Sequence, residues 1–276
     1  MTNVTDRIRV FRRLHEAGCF VIPNPWDVGS ARLLVQLGFP ALATTSSGFA
    51  WSTGRQDNHV SLAEALAHLR AIAATVKVPV NGDFEGGFAV APDEVGANVT
   101  AATSTGIAGV SIEDSTGDPA GPLFDFNLAV DRIRAARRAI DASGTGVLLT
   151  GRSEGFIVGR PDLAETIRRL TAYAEAGADC LYAPGLRTPE QITAVVGAVK
   201  PKPVNVLVGS DFATVSQLTK LGVRRISVGG ALARAAWSGF LQAAKEITEH
   251  GTFTNLGRAV SFAEINDSFA ASSPRS

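Results

Sequence analysis

The sequence contains few cysteines, no excess of either charge and no long apolar run, and each absence narrows the class of protein. Two cysteines in 276 residues, Cys19 and Cys180, form no disulfide framework and indicate a reducing compartment. The 26 Lys+Arg residues balance 26 Asp+Glu residues, so the chain lacks the basic field of a dedicated nucleic-acid binder. No apolar run approaches the roughly 20 residues of a membrane helix, and the first residues show no apolar signal core. We therefore expect a cytoplasmic protein with no nucleic-acid or membrane partner.

Short apolar runs alternate along the chain with turns and amphipathic helical stretches. Hydrophobic residues make up 45% of the chain, which is enough to bury the core of one large α/β domain. Eight of the runs are apolar on both faces, as the strands of a buried parallel sheet are. We predict strands at 19–22, 41–44, 80–83, 109–113, 147–152, 180–183, 204–207 and 225–228.

Eight strand–helix units within about 250 residues predict a (β/α)8 TIM barrel. A doubly wound open sheet is the alternative, but the units are evenly spaced and no G-x-G-x-x-G motif follows the first strand. Because no low-complexity linker interrupts the chain, we expect a single domain over residues 1–276 with a helical tail from about residue 248. The tail contains a further predicted helix at 261–270, a candidate for packing on a neighbouring subunit.

Acidic residues end two neighbouring predicted strands, where a barrel places its active site. Asp83 and Glu85 are two residues apart, so an extended backbone points both carboxylates to the same side. Glu113 ends the next strand and is expected beside them. Three converging carboxylates repel one another unless a cation joins them, and oxygen ligands suit Mg²⁺ or Mn²⁺ completed by water. The alternative for each acid alone is a helix cap or an ion pair with an arginine at the rim.

The fifth predicted strand ends at Arg152, which we interpret as a clamp for a substrate carboxylate. A guanidinium donates two parallel hydrogen bonds to a carboxylate, and a strand end holds it rigidly. An ion pair with Glu113 or Glu154 is the alternative for this arginine. Ser47 and Gly48, after the second strand, are candidates to offer a hydroxyl and backbone N–H groups to the same anion. The other candidates for contact with substrate are Trp26, for which rim packing is the alternative, Phe49 and Asn205.

Seven segments in this order resemble the isocitrate lyase/phosphoenolpyruvate mutase superfamily over roughly residues 5–245. The matching segments are Pro23-Asn24-Pro25-Trp26-Asp27, Ser47-Gly48, Gly54-Arg55-Gln56-Asp57, Asp83-Phe84-Glu85-Gly86-Gly87-Phe88, Ile112-Glu113-Asp114, Arg152-Ser153-Glu154 and Val228-Gly229-Gly230. The resemblance implies a (β/α)8 barrel with extra terminal helices, one of them often exchanged between the subunits of a homodimer or homotetramer.

The resemblance also implies the chemistry of the site. Mg²⁺ or Mn²⁺ would be held, partly through water, by Asp57, Asp83, Glu85 and Glu113. A 2-oxo or 2-hydroxy acid would bind that metal, with Asp83 near it and its carboxylate on Ser47, Gly48 and Arg152. Members of the superfamily break or form C–C or P–C bonds through an enolate, and the catalytic candidates here are Asp57, Arg152 and Glu113.

The segment 115–125 departs from the pattern of the superfamily's lyases, which carry a loop with Cys, Lys and His at this place. This segment contains none of the three, and Pro184 stands where the lyases have Glu and the mutases have His. The acid/base candidates that remain are Asp57, Glu154 and Tyr182.

Three hypotheses follow from these residues. The first is a Mg²⁺-dependent lyase that cleaves a C–C bond in a small 2-oxo or 2-hydroxy carboxylate. The second is an oxaloacetate-type decarboxylase or a phosphonopyruvate-cleaving enzyme. The third is a weakly catalytic or non-catalytic protein that binds a 2-oxo acid such as 2-oxoglutarate.

Overall fold

A computed structural model describes residues 3–270, which divide in sequence between Gly230 and Ala231 into two compact units. The first unit alternates parallel strands with helices. Its strands are β1 Phe20–Ile22, β2 Leu42–Ala43, β3 Val80–Asp83, β4 Gly109–Glu113, β5 Leu148–Arg152, β6 Cys180–Tyr182, β7 Val204–Leu207 and β8 Arg225–Ser227. Its helices are α1 Val4–Glu16, α2 Val28–Gln36, α3 Ser46–Ser52, α4 Leu62–Thr75, α5 Pro92–Thr103, α6 Phe126–Ser143, α7 Leu163–Glu175, α8 Pro189–Ala198 and α9 Val215–Lys220.

All eight predicted strands are confirmed, each to within one residue at either end. The strands lie in the order β1-β8-β7-β6-β5-β4-β3-β2, and every neighbouring pair is parallel. The first and last strands of this order approach each other, because the Ala43 N–H donates to the Pro23 carbonyl at 3.1 Å. The nearly closed sheet confirms the (β/α)8 barrel and excludes the open doubly wound alternative.

The buried side chain of Asn24 links β1, β2 and β8 at their carboxyl ends, where the sheet closes on itself. Its Nδ2 donates to the Thr44 carbonyl at 2.9 Å, just beyond β2. Its Oδ1 accepts from the backbone N–H groups of Val228 and Gly229, each at 2.9 Å, just beyond β8. One amide therefore joins the ends of β1, β2 and β8, where backbone hydrogen bonding alone is sparse.

Many helices of this unit begin at polar residues that satisfy the free N–H groups of the first turn. Asp27, Ser61, Thr188 and Thr214 each form a capping box at the start of α2, α4, α8 and α9. These caps fix the residue at which each of these four helices begins.

The second unit contains α10 Ala231–His250, a 3₁₀ helix Thr254–Arg258 and α11 Phe262–Ala270. The helix predicted at 261–270 is thus confirmed. Large apolar side chains are exposed throughout this unit, among them Phe240, Phe253, Val260 and Phe262. Among the described helices, none combines the length and apolar character needed to cross a bilayer. The single-domain arrangement, the exchanged helix and the homo-oligomer stay predictions.

Candidate active site

A cavity of about 170 Å³ opens at the carboxyl ends of the barrel strands. Five of the predicted site residues line it: Ser47, Asp57, Asp83, Arg152 and Asn205. The lining also contains polar residues that were not predicted as ligand contacts, namely Asn24, Thr44, Thr45, Ser46, Asn81, Ser111, Tyr182, Arg225 and Ser227. Barrel interiors are usually filled by branched apolar side chains, so this polar interior marks the mouth as a binding site.

Arg152 lies at the centre of the charged groups and contacts three carboxylates. Its Nε lies 2.5 Å and its Nη2 3.2 Å from the two carboxylate oxygens of Glu154. Its Nη1 lies 3.1 Å from Glu113 Oε2 and 3.4 Å from Asp83 Oδ1. The guanidinium carbon also lies 5.2 Å from the centre of the Tyr182 ring. The ion pairs named as the alternative for Arg152 are therefore present, and the carboxylate clamp stays a prediction.

The acids around Arg152 outnumber the positive charge that balances them. Burial raises the pKa of Glu113 well above its usual range, against the opposing effect of Arg152. Burial, followed by the charges of Asp83 and Asp57, raises the pKa of Glu85 to about 8. Partial desolvation and the Asp83 charge also raise the pKa of Asp57, which lies at the open rim. The site therefore holds more carboxylates than one guanidinium can keep ionised, and a cation would be stabilised there.

The donor set fits Mg²⁺ or Mn²⁺ only as an ion held in part through water. Among residues 3–270, no group of three or more His, Cys, Asp or Glu side chains is close enough to hold a metal directly. Mg²⁺ commonly keeps several waters and binds one or two protein carboxylates. Asp57, Asp83, Glu85 and Glu113 would supply such oxygen ligands in part through water, and the water-bridged arrangement implied by the resemblance stays a prediction.

The backbone does not continue as a strand from Asp83 to Glu85, so the prediction of an extended backbone there is wrong. β3 ends at Asp83, and Glu85 has a φ of 47°. Gly87 and Phe88 follow with φ of 76° and 55°. Left-handed backbone at a non-glycine residue costs about 1–3 kcal/mol and persists only where surrounding contacts hold it. Glu85 is therefore presented from a strained turn.

Arg132 of α6 holds this turn and was not predicted as a site residue. Its side chain is 1% exposed and donates to the carbonyls of Gly86, Ala89 and Val90. Its guanidinium carbon also lies 3.8 Å from the centre of the Phe124 ring. The signal in the sequence is an arginine within the apolar face of α6, between Val130 and Ile133. Such a position requires buried acceptors for the guanidinium.

The backbone N–H groups at the N-terminus of α3 donate to protein oxygens and not to an open anion site. The Ser46 N–H donates to Asp83 Oδ2 at 2.9 Å, which fixes the carboxylate that ends β3. The Gly48 N–H donates to Thr45 Oγ1 at 3.3 Å, and that oxygen lies 3.1 Å from Ser47 Oγ. Of the donors predicted here, the Ser47 hydroxyl is the one that lines the cavity.

Five predicted residues lie outside the cavity lining: Trp26, Gly48, Phe49, Glu85 and Glu113. Glu113 still reaches the site through Arg152. Phe49 faces the barrel side of α4, where its ring stacks on His68 with centroids 3.9 Å apart. Asn205 lines the cavity with its amide engaged, since Nδ2 donates to Ser227 Oγ at 2.9 Å and Oδ1 accepts from Arg225 Nε at 2.9 Å.

A buried network behind the cavity fixes the position of Glu154. Asp114 Oδ1 accepts the Glu154 backbone N–H at 2.7 Å. Asp114 Oδ2 accepts from the Tyr173 hydroxyl at 2.6 Å and from Arg169 Nη1 at 3.2 Å. Because both oxygens of Glu154 also contact Arg152, this carboxylate has little freedom to act as a proton carrier.

The segment 115–125 forms a small hairpin closed by a bridge between Ser115 and Leu123. The Thr116 hydroxyl donates to the Gly121 carbonyl at 2.6 Å, and Asp118 Oδ1 accepts from the Ala120 N–H at 2.9 Å. None of its side chains lines the cavity. Its polar groups are therefore used to shape the hairpin itself.

Comparisons with known proteins agree with the barrel fold and show the family. A model of the family described as phosphoenolpyruvate phosphomutase matches residues 11–248. An oxaloacetate decarboxylase of Paraburkholderia xenovorans is 31% identical over 208 residues, which cover 71% of this chain and 67% of the relative. A Burkholderia cenocepacia structure described as a candidate lyase/mutase is 46% identical, with a TM-score of 0.94 over 98% of this chain and 97% of the other. A phosphonopyruvate hydrolase solved with oxalate and Mg²⁺ is 25% identical, with a TM-score of 0.82 over 95% of this chain and 94% of the other.

Proposed function

We propose a function for this chain, which belongs to the phosphoenolpyruvate mutase/isocitrate lyase superfamily of lyases and mutases. In our proposal it is a Mg²⁺- or Mn²⁺-dependent lyase that cleaves a C–C bond in a small 2-oxo or 2-hydroxy carboxylate through an enolate. The observation that carries the proposal is one guanidinium among three carboxylates, Arg152 with Asp83, Glu113 and Glu154, at the mouth of a small polar cavity.

The residues divide into a metal set and an anion set. Asp57, Asp83, Glu85 and Glu113 would hold the metal, partly through water. Once bound, the metal would neutralise charge on the carbonyl oxygen of a chelated 2-oxo acid. Arg152 would exchange its longest contact, the 3.4 Å pair with Asp83, for the substrate carboxylate. Ser47 would donate its hydroxyl to the same carboxylate.

Bond cleavage leaves an electron pair on the enolate, and a proton must then reach the carbon that lost its partner. Asp57 is the candidate carrier by position, because it lines the cavity at its open rim and would reach the substrate directly or through one water. Tyr182 lines the same cavity, but burial raises its pKa to about 12 and it keeps its own proton. Arg152 would stabilise the developing negative charge by its fixed position.

Oxaloacetate decarboxylation is the second candidate, and two observations favour it. A relative at 31% identity is an oxaloacetate decarboxylase. In addition, the hairpin 115–125 offers no Cys, Lys or His, and decarboxylation of a β-oxo acid needs an electron sink more than a strong acid on a loop.

The test is turnover and calorimetric binding with 2-methylisocitrate, isocitrate, oxaloacetate and phosphonopyruvate, each with Mg²⁺ and with EDTA. We expect binding and turnover of one of them with Mg²⁺ and loss of both with EDTA. Asp83→Asn should abolish the Mg²⁺ effect, whereas Asp118→Asn on the exposed hairpin should retain it. Equal affinity with Mg²⁺ and EDTA would overturn the metal requirement. Tight metal-dependent binding without turnover would instead identify a 2-oxo-acid binding protein.

A further inference from the structure

Asp114 lies in one of the segments that resemble the superfamily, yet the proposed function gives it no role. It directly follows Glu113, the last residue of β4, and is 2% exposed. It does not line the cavity, and its side chain contacts the end of β5 and helix α7 instead. A buried carboxylate costs free energy unless its partners compensate, so these contacts indicate what Asp114 does.

Asp114 holds the backbone on both sides of Ser153, just where β5 ends. Its own N–H donates to the Arg152 carbonyl at 3.2 Å. Its Oδ1 accepts the Glu154 N–H at 2.7 Å. One residue therefore fixes the stretch of backbone from which both the Arg152 and the Glu154 side chains extend.

The second oxygen of Asp114 is held from α7, which leaves the carboxylate no freedom to turn. Oδ2 accepts from the Tyr173 hydroxyl at 2.6 Å and from Arg169 Nη1 at 3.2 Å. Both donor residues are buried. Three donors thus converge on one carboxylate, and a buried network whose members are all satisfied holds them in a single geometry.

The Glu154 side chain links this network to the cavity. Its two oxygens lie 2.5 Å and 3.2 Å from Nε and Nη2 of Arg152. These two contacts orient the guanidinium so that Nη1 lies 3.1 Å from Glu113 Oε2 and 3.4 Å from Asp83 Oδ1. Nη1 is the group that the proposed function assigns to the substrate carboxylate. Its position therefore depends on Asp114 through one intervening residue.

An acid of similar construction lies at the opposite end of β5. Asp179 Oδ2 accepts the Leu149 N–H at 2.8 Å and lies 3.0 Å from Arg137 Nη1 of α6. Like Asp114, Asp179 thus joins a backbone N–H of the β5 segment to an arginine of a helix. Neither Asp179 nor Leu149 lines the cavity. The need to anchor β5 is therefore common to both ends, whereas the contact with a charged cavity residue belongs to the end that Asp114 holds.

We propose that Asp114 is a positioning residue of the site, which sets the position of the Arg152 guanidinium through Glu154. It thereby sets the affinity for a substrate carboxylate that it does not touch. This inference rests on the proposed function, because Arg152 must be the group that receives the carboxylate. A role in stability alone would require only that Asp114 anchor β5, as Asp179 does at the other end.

Calorimetry with oxalate and Mg²⁺ tests the proposal, since oxalate is a stable dianion that can chelate a metal. Asp114→Asn keeps the side-chain volume, but its Nδ2 would face Arg169, which cannot accept a hydrogen bond. We expect oxalate to bind this variant about 10- to 100-fold more weakly, as the loss of such outer contacts typically gives. Asp179→Asn is the matched control, and it should lower the Tm while it retains the wild-type affinity for oxalate.

A double-mutant cycle with Arg152→Lys separates positioning from stability. Lysine has no paired N–H donors for Glu154 to orient, so Asp114→Asn should change oxalate affinity by no more than about 2-fold in this background. Non-additive effects of this kind identify residues that act through one network. Tyr173→Phe removes a single donor to Asp114 and retains the ring, so it should weaken oxalate binding by about 3- to 10-fold.

Wild-type oxalate affinity in folded Asp114→Asn would overturn the proposal. If that variant does not fold, wild-type affinity in Tyr173→Phe would overturn it instead. A loss that is equally large in the Arg152→Lys background, or that Asp179→Asn reproduces, would also overturn it, because Asp114 would then act through the stability of the barrel. In each of these cases Mg²⁺-dependent binding by the wild-type protein leaves the proposed function standing. If the wild-type protein binds no oxalate with Mg²⁺, the proposed function fails and the positioning role fails with it.

Discussion

The β3–α5 loop and the β4–α6 hairpin leave neighbouring strands of the barrel mouth, yet they are built in opposite ways. The loop after β3 is strained at Glu85 and is held by the buried side chain of Arg132. The hairpin 115–125 is largely exposed and is held by its own short polar side chains. The strained loop presents the Glu85 carboxylate to the charged groups around Arg152, whereas the hairpin presents no carboxylate there. The backbone is therefore held by a buried side chain in the segment that supplies a charged group to the site.

Removal of Arg152 should have the largest effect, because the charged side of the mouth depends on this one cation. Arg152→Ala leaves Asp83, Glu113 and Glu154 without their shared partner, and we expect 2-oxo acid binding to weaken by about 2–5 kcal/mol. Arg152→Lys keeps the positive charge but loses the paired N–H donors of the guanidinium. Its loss of binding free energy should therefore be smaller than that of Arg152→Ala. Calorimetry with Mg²⁺ measures both, and Arg168→Ala on the exposed face of α7 is the control. Wild-type affinity combined with a much lower Tm would assign Arg152 to structure alone.

Loosening the strained loop should have the next largest effect. Arg132→Met removes the donors that hold the carbonyls of Gly86, Ala89 and Val90, so Glu85 loses its fixed position. Loss of such outer contacts typically weakens metal affinity by about 10- to 100-fold. A Mn²⁺ titration followed by electron paramagnetic resonance measures this directly, and Arg132→Lys should recover part of the affinity.

Arg134→Met on the same helix is the matched control for Arg132, because Arg134 is exposed and pairs with Asp131 of its own helix. A lower Tm with unchanged Mn²⁺ affinity would show that Arg132 stabilises the fold without positioning Glu85.

The contrast between the two segments also explains which features of the fold and the site could be predicted from the sequence alone. Barrel strands are buried on both faces, so their apolar runs identify all eight strands. Once the strands are identified, the residues at their carboxyl ends, such as Asp83 and Arg152, can be predicted as well. The backbone at Glu85 could not be predicted, because the arginine that holds the turn lies 46 residues away from Gly86.

The sequence contains a signal for Arg225, although Arg225 was not predicted as a residue that lines the cavity. Strand alternation places Arg225 and Ser227 on one face and Ile226 on the other, while the preceding Arg224 lies outside the strand. Both faces of a barrel strand are buried, however, so alternation does not say which face meets the cavity. That assignment required the closed sheet, in which Arg225 pairs with Asn205 and Phe20 on either side.

Acid should destabilise the β3 side of the mouth through His68, a partly buried histidine of α4. Burial lowers the pKa of His68, which stacks on Phe49, to about 4, while an unfolded histidine titrates near about 6.5. Between these values the unfolded chain binds more protons, so stability is lost as pH falls from about 6.5 toward 4. His68→Phe keeps the ring stack and removes the titration. Its Tm relative to wild type should therefore rise by a few degrees between pH 7 and pH 5 in a thermal scan, whereas His250→Phe, an exposed control, should show no such trend.

The smallest effect is expected from the hairpin, and it tests the other half of the comparison. Ser115, Thr116 and Asp118 use their polar groups within the hairpin, and none of them lines the cavity. Replacing all three by alanine should therefore change kcat on a verified substrate by no more than a few-fold, since the hydrogen bonds removed are exposed and local. A loss of several orders of magnitude with the fold intact would mean that the hairpin delivers an essential proton donor. The charged strand ends would then be a binding platform for chemistry supplied by the hairpin, and the contrast between the two segments would be reversed.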